Sequence, residues 1–289
     1  MAAKNIVLQA SGARVDWKQG SVFFIGTATT IIRYGGFTLL TDPNFLHRGD
    51  HARLGYGLRS ERLTDPAIDI DDLPPLDLVL LSHMHDDHFD HIAVERLDKT
   101  LPIITTRHAR RALKQRGFKQ ARALKTWQSI VVQKGEMLLR ITSMPGTHAP
   151  GPLARLLPPV MGSLLEWETP AGQNLLRMYI SGDTLVHNRL KEIPQRHPDI
   201  DLALLHLGGT RVLGLMVTMD ARQGVEALQI IAPTIAIPIH YNDYSVFTSP
   251  LEDFKQEVRK AGLEDHIRYL AHGETYRFRV PASRAKPAE

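Results

Sequence analysis

Two rhythms of apolar spacing run along this chain. Dense runs of Val, Ile, Leu, Phe and Thr stand at residues 22–25, 29–34 and 37–41, separated by turns that carry Gly26 and the pair Gly35-Gly36. β-Branched and aromatic side chains suit a pleated surface, and the glycines punctuate it, so three short strands are predicted. Residues 77–81 (DLVLL) form an unbroken apolar run of strand length, the pattern of a central strand buried on both faces. Further strands are predicted at 102–105, 137–143, 163–168, 175–181, 202–206, 234–239 and 275–280. Between them the apolar spacing changes to three and four residues, which predicts helices over 91–97, 108–116, 185–196, 221–231 and 251–261. No repeat, low-complexity tract or linker-like shift interrupts this alternation. It predicts an α/β architecture in one domain spanning 1–289, with a core over about 20–280 and a frayed Pro/Ala/Lys tail at 281–289.

Composition narrows the chemistry. With 289 residues, 43% of them hydrophobic, the chain can bury a large core, which sets aside disordered and fibrous classes. A net charge of +4 is mild at this length, and no block of like charge is long enough for a nucleic-acid arm. Cysteine is absent, so disulfides, thiolate zinc sites, iron–sulfur clusters and a thiol nucleophile are all excluded. Any metal must therefore sit on histidines and carboxylates, and the 14 histidines are ample for that. The first residues lack the layout of a signal peptide, and no apolar run approaches membrane-spanning length. The cytoplasm is the expected compartment, and a homo-oligomer is compatible with the sequence.

The candidate chemistry gathers in His83-Met84-His85-Asp86-Asp87-His88, directly after the 77–81 strand. Buried imidazoles and carboxylates need partners, so four metal-competent side chains in six residues are poor structural filler. In an extended segment alternate residues share a face, so His83 and His85 can converge on one ion. A turn at Asp86 then lets Asp87 and His88 face a second. His148 (PGTH), Asp183 (SGDT) and His240 (PIHY) lie at equivalent addresses, each just past a predicted strand and beside glycine or proline. Singly each would more often be a satisfied polar residue. Their shared position at strand ends makes them candidates together.

This series, HxHxDH followed by GTH, GDT and a late IH, resembles the metallo-β-lactamase superfamily of binuclear hydrolases. The segment from Gly26-Thr27-Ala28-Thr29 through Thr41-Asp42-Pro43, with residues 78–90, is similar to one branch of it. That branch holds the N-acyl-phosphatidylethanolamine phospholipase D enzymes and the ascorbate-6-phosphate lactonase group. The resemblance implies a four-layer αββα sandwich with two divalent ions, zinc first and Mn, Fe or Ni as alternatives. It implies that His83, His85 and His148 hold one ion, that Asp87, His88 and His240 hold the other, and that Asp183 bridges them. Asp87 and Asp183 become the catalytic carboxylates, and Asp42 an orienting partner behind a ligand histidine. Two ions about 3.5–4 Å apart can supply a bridging hydroxide at neutral pH, a nucleophile this cysteine-free chain otherwise lacks.

The sequence departs from the branch at Thr218, where some members carry a histidine; His206, at the end of its own strand, is a candidate replacement and substrate contact. The apolar, proline-rich loop 150–161, with Arg155, reads equally as a substrate-covering loop or as a segment folded on the core. Loop 210–218 reads rather as packing. Arg48, Arg53, Arg59 and Arg62 could hold an anion, although solvated surface charge is the more economical reading. The expected substrate is a small-molecule or lipid-like ester: a phosphodiester first, a lactone second. An iron oxidoreductase ranks lower, because such relatives carry Glu at the position of His85 and add a flavin domain. A nucleic-acid processor also ranks lower, for want of a basic groove or a second domain.

Overall fold

The computed structural model describes residues 5–10, 15–55, 57–149, 151, 154, 157–212 and 214–280. The apolar runs of the first third become β2 (Gln19–Gly26), β3 (Thr29–Tyr34) and β4 (Phe37–Thr41), preceded by the short β1 (Ile6–Leu8). A polar hairpin of β5 (His51–Gly55) and β6 (Leu58–Glu61) precedes the buried β7 (Leu78–Leu80). Then follow α1 (His91–Arg96), β8 (Ile103–Thr105), α2 (Arg107–Gln115) and β9 (Ala121–Ala123). The second half runs through β10 (Ser129–Lys134), β11 (Met137–Met144), β12 (Gly162–Glu168), β13 (Asn174–Ile180), α3 (Glu192–Arg196) and β14 (Leu202–His206). A small hairpin of β15 (Arg211–Val212) and β16 (Leu215–Met216) leads to α4 (Ala221–Ile231), β17 (Ile235–Ile239), α5 (Leu251–Ala261) and β18 (Thr275–Arg279).

These strands form two seven-stranded mixed sheets, ordered β1-β10-β11-β12-β13-β14-β17 and β18-β2-β3-β4-β7-β8-β9. Alternation within the strands explains the layering. In the second sheet Phe24, Ile32, Leu39, Leu78 and Leu80 turn inward and share a core with Leu139, Ile141, Leu164 and Trp167 of the first. Their neighbours Ile25, Ile31, Leu40 and Val79 face the other way and pack with Ala93 and Leu97 at α1 and with Ala109 and Leu113 of α2. On the far side, Val225 and Leu228 of α4 and Phe254 and Val258 of α5 cover the first sheet. The result is the expected αββα sandwich. A T-shaped pair, Tyr34 against Trp167 at 5.5 Å, ties the two sheets at the centre.

Helix starts follow local chemistry. Asp90, Thr106 and Asp220 cap α1, α2 and α4 by accepting from the backbone N–H groups of Ala93, Ala109 and Gln223. The helix expected over 185–196 is instead a 3-10 turn (Asn188–Lys191) followed by the one-turn α3. Pro194 accounts for this: with no N–H and a bulky ring it is tolerated only in a first turn, so the helix cannot extend backward through it. β1, β9, β10 and the two small hairpins had no counterpart among the expected elements.

Topology sets the location of the site. β4, β7 and β8 run parallel, as do β13, β14 and β17, and β11 shares their direction through its antiparallel pairing with β12. The carboxyl ends of these strands line one edge of the sandwich, where α/β sheets present ligand-binding loops.

Candidate active site at the carboxyl edge of the two sheets

Six strand ends deliver the chemistry. Asp42 follows β4, His83 through His88 follow β7, His148 follows β11, Asp183 follows β13, His206 ends β14 and His240 follows β17. Asp42 (φ 35°) and His240 (φ 63°) sit in the left-handed region, where non-glycine residues persist only if their surroundings hold them. Among the described residues, donor atoms gather in three groups that could each hold an ion: His83 with His85 and His148; Asp87 with His88, Asp183 and His240; and Asp42 with His88 and His206.

In the first group, Nε2 of His83 lies 3.0 Å and Nε2 of His148 lies 3.4 Å from Nδ1 of His85. Ligands about 2.05 Å from a tetrahedral zinc stand roughly 3.3 Å apart, so the three nitrogens already have the spacing of a coordination site. The far side of the His148 ring fixes its tautomer: Nδ1–H donates to the carbonyl of Val217 at 2.9 Å, which leaves the Nε2 lone pair facing the site. Burial, aided by the neighbouring imidazoles His88, His85 and His148, drives His83 well below the ordinary imidazole value. Burial takes His85 to about 4 and lowers His148 as well. All three shifts favour the neutral imidazole that metal ligation requires.

The second group is charged. Nε2 of His88 is 3.3 Å from Oδ2 of Asp183, and Nε2 of His240 is 3.6 Å from both Oδ2 of Asp87 and Oδ1 of Asp183. Nδ1–H of His240 donates to the carbonyl of Leu207 at 3.0 Å, so here too Nε2 faces inward. Burial opposes charge on His88 and His240, yet Asp183 and Asp87 raise both above the ordinary value. Burial likewise pushes Asp87 and Asp183 up, and the two histidines hold both carboxyls below their usual range. Carboxylates that favour a proton on these rings would equally favour a cation in its place. Asp87 Oδ1, His88 Nε2, Asp183 Oδ1 and His240 Nε2 are all buried without a hydrogen-bond partner. Four orphaned polar atoms on the residues of one donor group are costly in a folded protein unless an ion satisfies them, so the donor set fits a divalent metal.

With this geometry in view, comparison with known proteins gives a consistent answer. The profile of the beta-lactamase superfamily domain matches residues 38–241, from β4 to just past His240. The chain belongs to the beta-lactamase superfamily. Within it, a UPF0173 metal-dependent hydrolase from Methanopyrus kandleri is 28% identical over 260 residues, covering 88% of this chain and 98% of that protein. A UPF0173 protein from Bacillus subtilis is 26% identical over 263 residues with the same coverage. The fold is shared with an isothiocyanate hydrolase from Delia radicum gut bacteria (TM-score 0.76, 22% identity, 90% of this chain and 99% of that one). It is also shared with a possible metal-dependent hydrolase from Veillonella parvula (TM-score 0.74, 21% identity, 89% and 98%). The chain shares with this superfamily candidate His/Asp metal groups at the carboxyl edge of its sheets, and among the described residues no helix is long and apolar enough to cross a membrane.

The structure brings His83, His85, Asp87, His88, His148, Asp183 and His240 together. Asp42 lies immediately behind them: Oδ2 is 3.2 Å from Nδ1 of His88, and Oδ1 accepts the N–H of Ser82 at 2.7 Å. Burial pushes Asp42 up, but His88 and His206 hold its carboxyl at about 2. His206 is where geometry departs from the sequence expectation of a substrate contact. It is fully buried, with Nδ1 3.2 Å from Ser181 Oγ and Nε2 3.4 Å from Asp42 Oδ2, and its ring stacks parallel to His88. Both nitrogens are engaged and neither faces an opening. Arg155 lies outside the described residues. Thr218, noted only as a departure from the branch, donates to Asp183 Oδ2 at 3.1 Å. Arg62, grouped with surface charge, is completely buried. No local sequence signal distinguishes it from Arg48 or Arg59.

Proposed function

We propose that this chain is a binuclear hydrolase of small-molecule esters, with zinc as its first-choice metal. His83, His85 and His148 hold one ion; Asp87, His88 and His240 hold the other; Asp183 lies between them. The observation that carries this reading is the pair of buried donor sets facing each other, one neutral and one anionic, with four inward-facing atoms left unpartnered. Three imidazoles leave an ion strongly Lewis-acidic, and two carboxylates reduce the charge of the pair. When bound, the ions supply Lewis acidity toward the scissile oxygen and an acidified water for attack.

The chain's own residues do the rest. Asp183, fixed by the Thr218 hydroxyl, sets the distance between His88 and His240. Asp87 offers a buried, unpartnered Oδ1 that an ion held by the second group would satisfy. The walls are apolar: Ala149, Leu157, Val212 and Val217 cluster beside His148, and the Phe247 ring lies 4.5 Å from His240. Such walls suit the apolar substituent of an ester. The motif order resembles the phospholipase D and lactonase branch, which ranks a lipid-like phosphodiester first. A lactone is the second reading, since the same branch holds lactonases and the apolar side chains beside His148 would equally suit a cyclic ester.

The test is a metal-reconstituted screen against bis-p-nitrophenyl phosphate, N-acyl phospholipids and a panel of lactones. His85→Ala and Asp183→Ala are expected to lose hydrolysis together with bound metal. Full activity after complete metal removal would overturn the mechanism.

A further inference from the structure

Beneath the anionic donor group lies a buried polar cluster that belongs to neither donor set. Its centre is Thr27, in the turn between β2 and β3. Thr27 has φ 51°, an outlier for a β-branched residue. Three polar groups of this residue are all taken. Its N–H donates to Asp243 Oδ2 at 2.7 Å, its Oγ1 accepts from Arg62 Nη1, and its carbonyl accepts the N–H of His240 at 2.6 Å. The last bond crosses between the sheets, because Thr27 follows a strand of one and His240 a strand of the other.

Arg62 and Asp243 are themselves fixed. The Arg62 guanidinium lies over the Tyr244 ring, donates through Nε to the Thr64 carbonyl at 2.9 Å, and reaches Asn44 Oδ1 through Nη1 at 2.5 Å. Asn44 passes the restraint on by donating to the Asp86 carbonyl at 2.9 Å, inside the turn that aims Asp87 and His88. Asp243 Oδ1 accepts from Thr64 Oγ1 at 2.5 Å and lies 3.1 Å from His272 Nε2. The branches therefore meet the site at two points. One ends on the peptide of His240, the other on the turn between His85 and Asp87. The first serves His240 and the second the turn that carries Asp87 and His88, next to His85; neither reaches His83 or His148.

We infer that Thr27, Arg62 and Asp243 form a clamp that acts chiefly on the second metal site, holding His240 in its left-handed conformation. Left-handed backbone at a non-glycine residue is strained, and it persists only where surroundings over-determine it. The clamp supplies that determination for both Thr27 and His240. The inference rests on the two-ion reading above.

The experiment titrates metal-free full-length protein with zinc against a competing chelator and counts ions per chain. His240→Ala identifies which uptake step belongs to the second site. Thr27→Val keeps the branched shape but loses the hydroxyl that Arg62 holds; Arg62→Met removes the other half of that bond. Both are expected to weaken the second step roughly 10–100-fold, as loss of an orienting partner does, with the first step unchanged. Thr27→Ser is expected to restore it. Melting of the metal-free proteins checks that Thr27→Val is folded. Two wild-type-like steps in Thr27→Val, or an equal loss in both steps, would overturn the clamp while leaving the two-ion reading intact. A wild-type chain that binds fewer than two ions would overturn both.

Discussion

Oδ2 of Asp42 lies 3.2 Å from Nδ1 of His88 and 3.4 Å from Nε2 of His206, so one buried oxygen holds two imidazoles. The two rings stack 12° from parallel, at 5.9 Å between centroids. His88 is thereby aimed at Asp183 through its other nitrogen, and His206 buttresses the carboxylate from behind. Asp42→Asn removes the charge that fixes this orientation. Metal affinity of the second site is expected to fall roughly 10–100-fold in a chelator titration, with hydrolysis falling in parallel.

Thr218 gives Asp183 a hydrogen bond that no other described side-chain hydroxyl supplies. Thr218→Val conserves shape and leaves the carboxylate one donor short, a loss of about 1.5–3 kcal/mol for a hydrogen bond to a charged group. That corresponds to roughly ten- to a hundred-fold in metal affinity, and Thr218→Ser should recover most of it. Equal affinities in Thr218→Val and wild type would remove Thr218 from the account.

Metal removal should lower thermal stability as well as activity. Ions that bind only the folded chain stabilise it by about 2.7 kcal/mol at a hundred times their dissociation constant. At about 2–4 °C per kcal/mol for a chain of this order of size, chelation should drop the melting temperature by several degrees. Scanning calorimetry before and after dialysis against chelator, with readdition of zinc, measures this directly.

Away from the site, Trp167 joins the sheets through its contact with Tyr34 and is completely buried. Trp167→Ala should cost about 3–5 kcal/mol, read from the denaturation midpoint. Because the pair lies at the core's centre, the fold and not the chemistry should suffer first.

Glu166 on β12 offers a pH test far from the metal groups. Burial pushes its carboxyl up, but His197 and Arg177, the latter 2.8 Å away, hold it below the ordinary value of 4.5. A lowered folded-state value means stability that is present above the unfolded value and lost as pH falls through the folded one. Glu166→Gln should therefore flatten the acid side of the stability–pH curve below about pH 4.5 and leave a smaller difference at low pH than at neutral pH.

Much of the candidate site was legible because its candidate metal ligands sit where the sequence changes rhythm. His83 to His88, His148, Asp183 and His240 each follow an apolar strand, and short turns with glycine or proline flag the change. Ring direction is another matter. His206 also ends a strand, yet its side chain turns toward Asp42, a choice made by the opposite sheet and invisible along the chain. Arg62 is the same case in reverse: its neighbours resemble a surface loop, and only the assembled Thr27, Asn44 and Tyr244 bury it. Among the strands, β10 was missed although Ile130 and Val132 alternate inward; β1 and β9 are too short to carry a period. The helix misplaced at 185–196 had the right spacing but the wrong residue at 194.

The inter-sheet bond from His240 to Thr27 also bears on the order of assembly. Its partners stand far apart in the chain, so it closes only when distant segments have met, late in folding. Ions that need His240 can then gain little purchase on the rate-limiting encounter of the two halves. They should instead lengthen the lifetime of the finished protein, slowing its unfolding while leaving its refolding rate nearly unchanged.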